Sequence, residues 1–206
     1  DVIYVADTSN KKVVAFNASG RFIREMGKVG PEILEEPRQV AVDREGQARV
    51  HRGMGLVSET FPEPVMKHLT GDVAVGHTRY STAGSTVLAN AQPCFANTRC
   101  GALSVAHNGN LTNAPELRRE LVEQGAIFTS SSDTECLVHL IARASAPTME
   151  GQIREALGRA EGAYSLVVSC GREIYAVVDP RGFRPLMIAR LGEGVIVASE
   201  TCAFDL

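Results

Sequence analysis

The chain has 206 residues, 44% hydrophobic and 22% charged, a composition that suits a globular protein with a buried core and excludes a disordered tail or fibrous repeat. A formal charge of −3, a pI near 6.0 and the lack of any basic block leave a nucleic-acid or anionic-membrane surface without electrostatic support. No stretch reaches the length of a membrane span, and the start Asp1-Val2-Ile3-Tyr4 lacks the basic and apolar regions of a signal peptide, so the expected setting is the cytoplasm.

Residues 1–50 read as short strands separated by turn chemistry. Ile3-Tyr4-Val5-Ala6, Val13-Val14-Ala15-Phe16 and Arg21-Phe22-Ile23 alternate with the turns Asp7-Thr8-Ser9-Asn10 and Asn17-Ala18-Ser19-Gly20, and Val40-Ala41-Val42-Asp43 follows a Gly- and Glu-rich connection. This spacing predicts a meander or a propeller blade. The residues Tyr4-Val5-Ala6-Asp7, Asn10, Val13 to Phe16, Gly20-Arg21-Phe22, Gly27 and Pro37 to Asp43 resemble an NHL-type β-propeller repeat. A single blade cannot bury both faces of its sheet without neighbours, so the equally weighted reading is a plain β-rich extension.

From residue 51 the pattern changes to alternating helices and strands. A helix is predicted over 113–124, where Asn113 precedes Glu116 by three, Pro115 sits in the first turn, Leu117 and Leu121 share a face and Gly125 stops it. A second is predicted over 132–143, opened by Ser132 with Glu135, and a third from Thr148 towards Ala160. Strands are expected at 163–170, 173–179 and 195–199, the first two joined by a tight Gly171-Arg172 turn. Helices must then cover a sheet face, giving an α+β layered sandwich.

Five cysteines, Cys94, Cys100, Cys136, Cys170 and Cys202, are odd in number, scattered and never in a C-x-x-C pair. They are expected to be separate thiols in small apolar environments, with no disulfide framework, metal site or cofactor.

Three strings carry polar groups suited to chemistry. Gly76-His77-Thr78-Arg79-Tyr80-Ser81-Thr82-Ala83-Gly84 follows the strand-like Asp72-Val73-Ala74-Val75, so Arg79 lies at a strand end, where its planar fork can hold both oxygens of a carboxylate or simply form a structural ion pair. Ala106-His107-Asn108-Gly109-Asn110 is expected to be a loop at a sheet edge. There the Asn108 amide and the Gly109 N–H can both donate to one oxygen, as a tetrahedral oxyanion requires, although Asn-Gly more often marks a turn. Asp133, in Ser131-Ser132-Asp133-Thr134-Glu135, can serve the first helical turn or an ammonium group; both fit if Ser132 is the cap.

In order, Val50-His51-Arg52-Gly53-Met54-Gly55, the 76–84 string, Leu88-Ala89-Asn90-Ala91-Gln92-Pro93, His107-Asn108-Gly109-Asn110-Leu111, Ser132-Asp133-Thr134-Glu135, Asp179-Pro180-Arg181-Gly182-Phe183-Arg184-Pro185-Leu186 and Ala198-Ser199-Glu200-Thr201 resemble the glutaminase half of amidophosphoribosyltransferase. The resemblance covers residues 51–206 and implies an N-terminal-nucleophile hydrolase-like αββα sandwich, incomplete at its N-terminus and preceded by the propeller-like segment 1–50. It implies a class II glutamine amidotransferase that releases ammonia from glutamine for phosphoribosyl pyrophosphate, giving phosphoribosylamine in purine biosynthesis. Carried over by motif, Arg79 holds the glutamine α-carboxylate with Thr82 nearby, Asp133 the α-ammonium, and Asn108 with Gly109 the oxyanion.

The family uses a cysteine at its mature N-terminus as nucleophile, with its own α-amino group as base. Here the sequence opens on Asp1 and its first cysteine is Cys94. The expectation is a glutaminase domain inactive as written, its partners being glutamine and either a phosphoribosyltransferase domain or a second copy of the chain. The alternatives are a propeller-type binding or scaffold protein and a glutamine sensor that performs no chemistry.

Overall fold

The computed structural model describes residues 2–7, 12–17, 22–26, 35–43, 47–79, 87–191 and 194–204. Strands β1 (Val2–Asp7), β2 (Lys12–Asn17) and β3 (Phe22–Met26) form an antiparallel meander in chain order, as their turn-punctuated pattern predicts. Strand β4 (Glu35–Val42) does not join it. It lies between β5 (Ala48–Arg52) and β6 (Val73–Arg79), antiparallel to both, and β1 runs beside β6. The change of pattern at residue 50 therefore falls inside a sheet whose central strand comes from before it.

Helices α1 (Val57–Thr60) and α2 (Glu63–His68) connect β5 to β6 and close one face of this sheet. Val57, Phe61, Met66 and Leu69 pack there with Ala41 of β4. Period-two alternation turns Val40 and its cross-strand partner Val75 to the other face.

The larger sheet has the order β10 (Glu173–Val178), β9 (Gly162–Cys170), β8 (Gly101–Leu111), β7 (Cys94–Thr98), antiparallel throughout. Residues directly opposite each other share a face, so the pairs Leu103–Cys170, Val105–Val168 and His107–Leu166 point one way. Over that face lie α3 (Ala114–Glu123), α4 (Thr134–Arg143) and α5 (Met149–Leu157), which contribute Leu117, Leu121, Leu137, Ile141 and Ile153 to a continuous core. Each such side chain removed from water stabilises the fold by roughly 1.5–3 kcal/mol. The other face carries Ala106 and Asn108 opposite Val167 and Ser165, and looks across a cavity towards β6.

Strands β11 (Met187–Leu191) and β12 (Gly194–Ala198) form an antiparallel pair whose second strand closes the end of the cavity. The layers run helices, sheet, sheet, helices, the αββα order expected. Among the described residues no helix is long and apolar enough to cross a membrane, and no cluster of three or more His, Cys, Asp or Glu side chains is placed to hold a metal ion.

The N-terminal caps of two helices differ from expectation. Thr148 Oγ1 accepts the Gly151 N–H and opens α5 as predicted. Asn113 occupies the N-cap of α3 without capping it; its amide instead donates to the Arg159 carbonyl and accepts the Glu161 N–H, tying α3 to the start of β9. Helix α4 begins at Thr134, two residues after the predicted start, and the Thr134 N–H is taken by Ser132 Oγ. Helix α5 ends against Gly158, short of the predicted Ala160, and Gly162 opens β9.

Candidate active site

A cavity of about 310 Å³ lies between the two sheets, and Arg79, Asn108, Gly109 and Asp133 all line it. Four of the expected site residues, distant along the chain, are thus brought together; the fifth, Thr82, lies outside the described residues. Arg79 is the last residue of β6 and is buried.

The block 106–110 is not a loop. It is the second half of β8, paired with β9 as far as Leu111 and Gly162. Turn chemistry loses here because nine consecutive cross-strand pairs with β9 outweigh one local dipeptide preference. Gly109 is what allows it. Its φ of 147° is rarely open to other residues, and a β-carbon there would run into the Ala163 carbonyl oxygen and come within 2.7 Å of Tyr164 Cα.

Because N–H groups alternate between the two edges of a strand, those of residues 107, 109 and 111 share one edge of β8. Pairing with β7 stops at Val105, so beyond it, among the described residues, no strand of that sheet lies beside this edge. The His107 N–H is taken by Gln92 Oε1 at 2.7 Å and the Leu111 N–H by Asp133 Oδ2 at 2.9 Å. The Gly109 N–H sits between these two anchored positions, beside the Asn108 amide. Two such donors aimed at one point can stabilise a developing negative charge on a carbonyl oxygen.

Asp133 is placed by the segment before α4, residues 129–133, which is held from three sides. The Glu135 carboxylate reaches back to accept the N–H groups of Thr129 and Ser130, both at 2.8 Å, and both of their hydroxyls. The Asn90 amide exchanges hydrogen bonds with Ser131. Arg118 of α3, stacked on Phe128, donates to the Ser130 and Ser132 carbonyls at 2.9 Å each. Asp133 occupies the N-cap position of α4 without making a side-chain cap bond, Ser132 Oγ accepts the Thr134 N–H, and Asp133 lines the cavity.

Burial pushes the Asp133 carboxyl up, but the His107 imidazole and the backbone N–H groups of Leu111 and Thr134 outweigh it, and the group stays below its ordinary value of 3.8. An ionised carboxylate is the form that binds an ammonium group. Across the cavity His77 is driven down to about 3 by burial, with His107 and Arg79 adding to it, so it is neutral at physiological pH. Arg79 presents a planar guanidinium at the cavity wall, a fork whose geometry suits a carboxylate.

Several lining residues had not been singled out from the sequence: Gln92, His107, Ser165 and Arg184. Arg184 follows a turn built on buried Asp179, which accepts the N–H groups of Tyr164, Arg181 and Phe183. None of the described cysteine side chains lines the cavity: Cys94, Cys136 and Cys170 are buried elsewhere and Cys100 is exposed in the β7–β8 turn. Burial raises the Cys136 thiol to about 11.

A sequence profile described as a glutamine amidotransferase domain matches residues 77–205, more than half the chain. The chain belongs to the glutamine amidotransferase domain family. This amidotransferase domain is 49% identical over 168 residues to amidophosphoribosyltransferase 2, chloroplastic, of Arabidopsis thaliana, covering 81% of the chain and 30% of that protein. To the Bacillus subtilis amidophosphoribosyltransferase it is 44% identical over 168 residues, covering 81% and 35%. It therefore spans about a third of the length of these relatives. The solved structure of the B. subtilis glutamine phosphoribosylpyrophosphate amidotransferase, complexed with ADP and GMP, superposes with a TM-score of 0.77 at 41% identity over 84% of the chain and 37% of that structure. A structure described as the allosteric regulatory enzyme of purine biosynthesis gives 0.78 at 42% identity, with the same coverage. The fold of the amidotransferase domain is that of the N-terminal-nucleophile hydrolases.

Proposed function

We propose that the cavity binds glutamine, with Arg79 on the α-carboxylate, Thr82 beside it, Asp133 on the α-ammonium, and the Asn108 amide and Gly109 N–H on the side-chain carbonyl oxygen. The observation that carries this reading is the convergence of Arg79, Asn108, Gly109 and Asp133 on one cavity of about 310 Å³, within the size range of small-molecule pockets, roughly 300 Å³ upward. The four offer a cation, an anion and two neutral donors, the complement of an amino acid with an amide side chain. The wider role is that of the relatives: ammonia released from glutamine is passed to phosphoribosyl pyrophosphate, giving phosphoribosylamine for purine biosynthesis, with a phosphoribosyltransferase domain as the acceptor partner.

Hydrolysis of the amide needs a nucleophile placed against the carbon whose oxygen the two donors hold. None of the described cysteines lines the cavity. A second reading is that this chain recognises glutamine without turning it over. Calorimetry with glutamine tests both: binding that Arg79→Ala abolishes supports the pocket, and no binding by folded protein overturns it. Ammonia release is expected to lie orders of magnitude below that of an intact amidotransferase; comparable turnover would refute the second reading.

A further inference from the structure

We infer that His107 is a positioning residue, which through Thr134 presets the Asp133 carboxylate for an α-ammonium group. His107 Nδ1 lies 3.1 Å from Thr134 Oγ1 and 3.7 Å from Asp133 Oδ1, and Thr134 Oγ1 lies 3.5 Å from that same oxygen. An ionised carboxylate can only accept, so the threonine proton points to Asp133 and its lone pairs are left for the imidazole. The order of donation is therefore His107 Nδ1–H to Thr134 Oγ1, and Thr134 O–H to Asp133 Oδ1. Asp133 Oδ2 is held independently by the Leu111 N–H. Both oxygens are tethered, and the rotation of the carboxylate about its last bond is arrested while it faces the cavity.

Packing alone does not explain an imidazole at this position. His107 is 3% exposed and points into the helix-covered core face of β8, alongside Leu166 and edge-on to Tyr164. With the proton on Nδ1, Nε2 is a buried acceptor, and among the described residues it has no hydrogen-bond partner. Leaving a polar atom dry costs free energy that an apolar side chain of similar volume would not incur. What the imidazole supplies in return is the donor to Thr134. Thr134 is fully buried, so this relay is shielded from competing water.

The inference rests on the glutamine reading, and its test separates the two. Binding of glutamine is compared by calorimetry with binding of glutaramate, which has the same carboxylate and carboxamide but no α-ammonium. His107→Leu is expected to weaken glutamine at least tenfold and glutaramate less than twofold. His107→Asn, whose amide nitrogen falls near the Nδ1 position, is expected to recover glutamine affinity to within about threefold of the parent. Thr134→Val, close to isosteric, provides the same cut in the relay should His107→Leu fail to fold, and should show the same selectivity. Equal losses for both ligands would mean a merely structural histidine and would overturn the inference, as would no loss for either. Arg79→Ala must weaken both ligands; if it weakens neither, the glutamine reading itself fails.

Discussion

Asp133 Oδ2 accepts the backbone N–H of Leu111 at 2.9 Å, so the acid at the start of α4 is fastened to the strand that carries Asn108 and Gly109. The charge expected to meet the ammonium and the donors expected to meet the amide oxygen are thereby parts of one rigid unit. Asp133→Asn keeps an oxygen for Leu111 and removes the charge. Glutamine binding should weaken ten- to hundredfold, about 1.5–3 kcal/mol for a charge-assisted bond; unchanged affinity by calorimetry would remove Asp133 from the ligand. Because its folded pKa lies below 3.8, the stabilisation from its ionised form is present above that value and lost as pH falls through the lower folded one. The Asp133 carboxylate therefore contributes no change to binding between pH 5 and 8.

His77 acts in the same direction on acidification but in a higher pH window. Its pKa falls from 6.5 in the unfolded chain to about 3 in the folded one, so across that window the unfolded state binds a proton that the folded state refuses. Stability should decline as pH drops from 6.5 towards 3, by up to ~1.4 kcal/mol per pH unit, and this contribution should cease below 3. Urea denaturation at pH 7.5 and pH 5 measures it. His77→Gln should show a smaller loss between the two, and an equal loss would assign the acid sensitivity elsewhere.

Gly109→Ala should destabilise by at least ~1–3 kcal/mol from backbone strain alone, and further from the clash with Ala163. Gly101, with φ 104° and nothing within 4 Å of its would-be β-carbon, provides the control, since alanine there meets strain without collision. Denaturant midpoints for the two variants should differ, with the Gly109 variant the less stable.

Glu135→Ala leaves the N–H groups of Thr129 and Ser130 without their acceptor. Each unpaired group costs roughly 1–3 kcal/mol if it stays buried, a penalty that water entering the loop will reduce. The melting temperature should fall and glutamine binding should weaken, because the segment delivering Asp133 loses one of its three anchors. A stable variant with parental affinity would show that Arg118 and Asn90 suffice.

Iodoacetamide at pH 8 should label exposed Cys100 well before buried Cys136, whose thiol is raised to about 11. Peptide mapping reads the order, and labelling at Cys100 should leave glutamine affinity unaltered because the residue is remote from the cavity. Loss of binding on modification there would place a thiol at the site after all.

Helices α3, α4 and α5 were legible because apolar spacing acts over a few residues, and β9, β10 and β12 because Val and Ile runs mark strands, although of these only β9 lies inside its sheet. Strand β8 was legible only to Val105. Its continuation through Asn108 and Gly109 depends on β9, more than 50 residues away, which no local rule can register. The same limit hid the role of Glu135: as a third-position acid it reads as a capping partner, but it turns back to the loop in front of the helix. Arg79, Asn108, Gly109 and Asp133 were visible from side-chain chemistry and family resemblance together. His107 and Gln92 stood in the quoted strings without a role of their own and Ser165 in none, because Gln92 shows its use only once its amide is seen against the His107 N–H.

Strand β8 belongs to the folding core along its whole length on one face, while the second half of its other face and its open edge border the cavity. The backbone that would hold a substrate oxygen is thus the same backbone whose ladder with β9 must break for the domain to unfold. Amide hydrogen exchange at Asn108 and Asn110 should then proceed only through global opening, and any variant that lowers overall stability should raise their exchange rates in step. Precision at the site is inherited from cooperativity of the whole sheet, leaving little scope to soften one without melting the other.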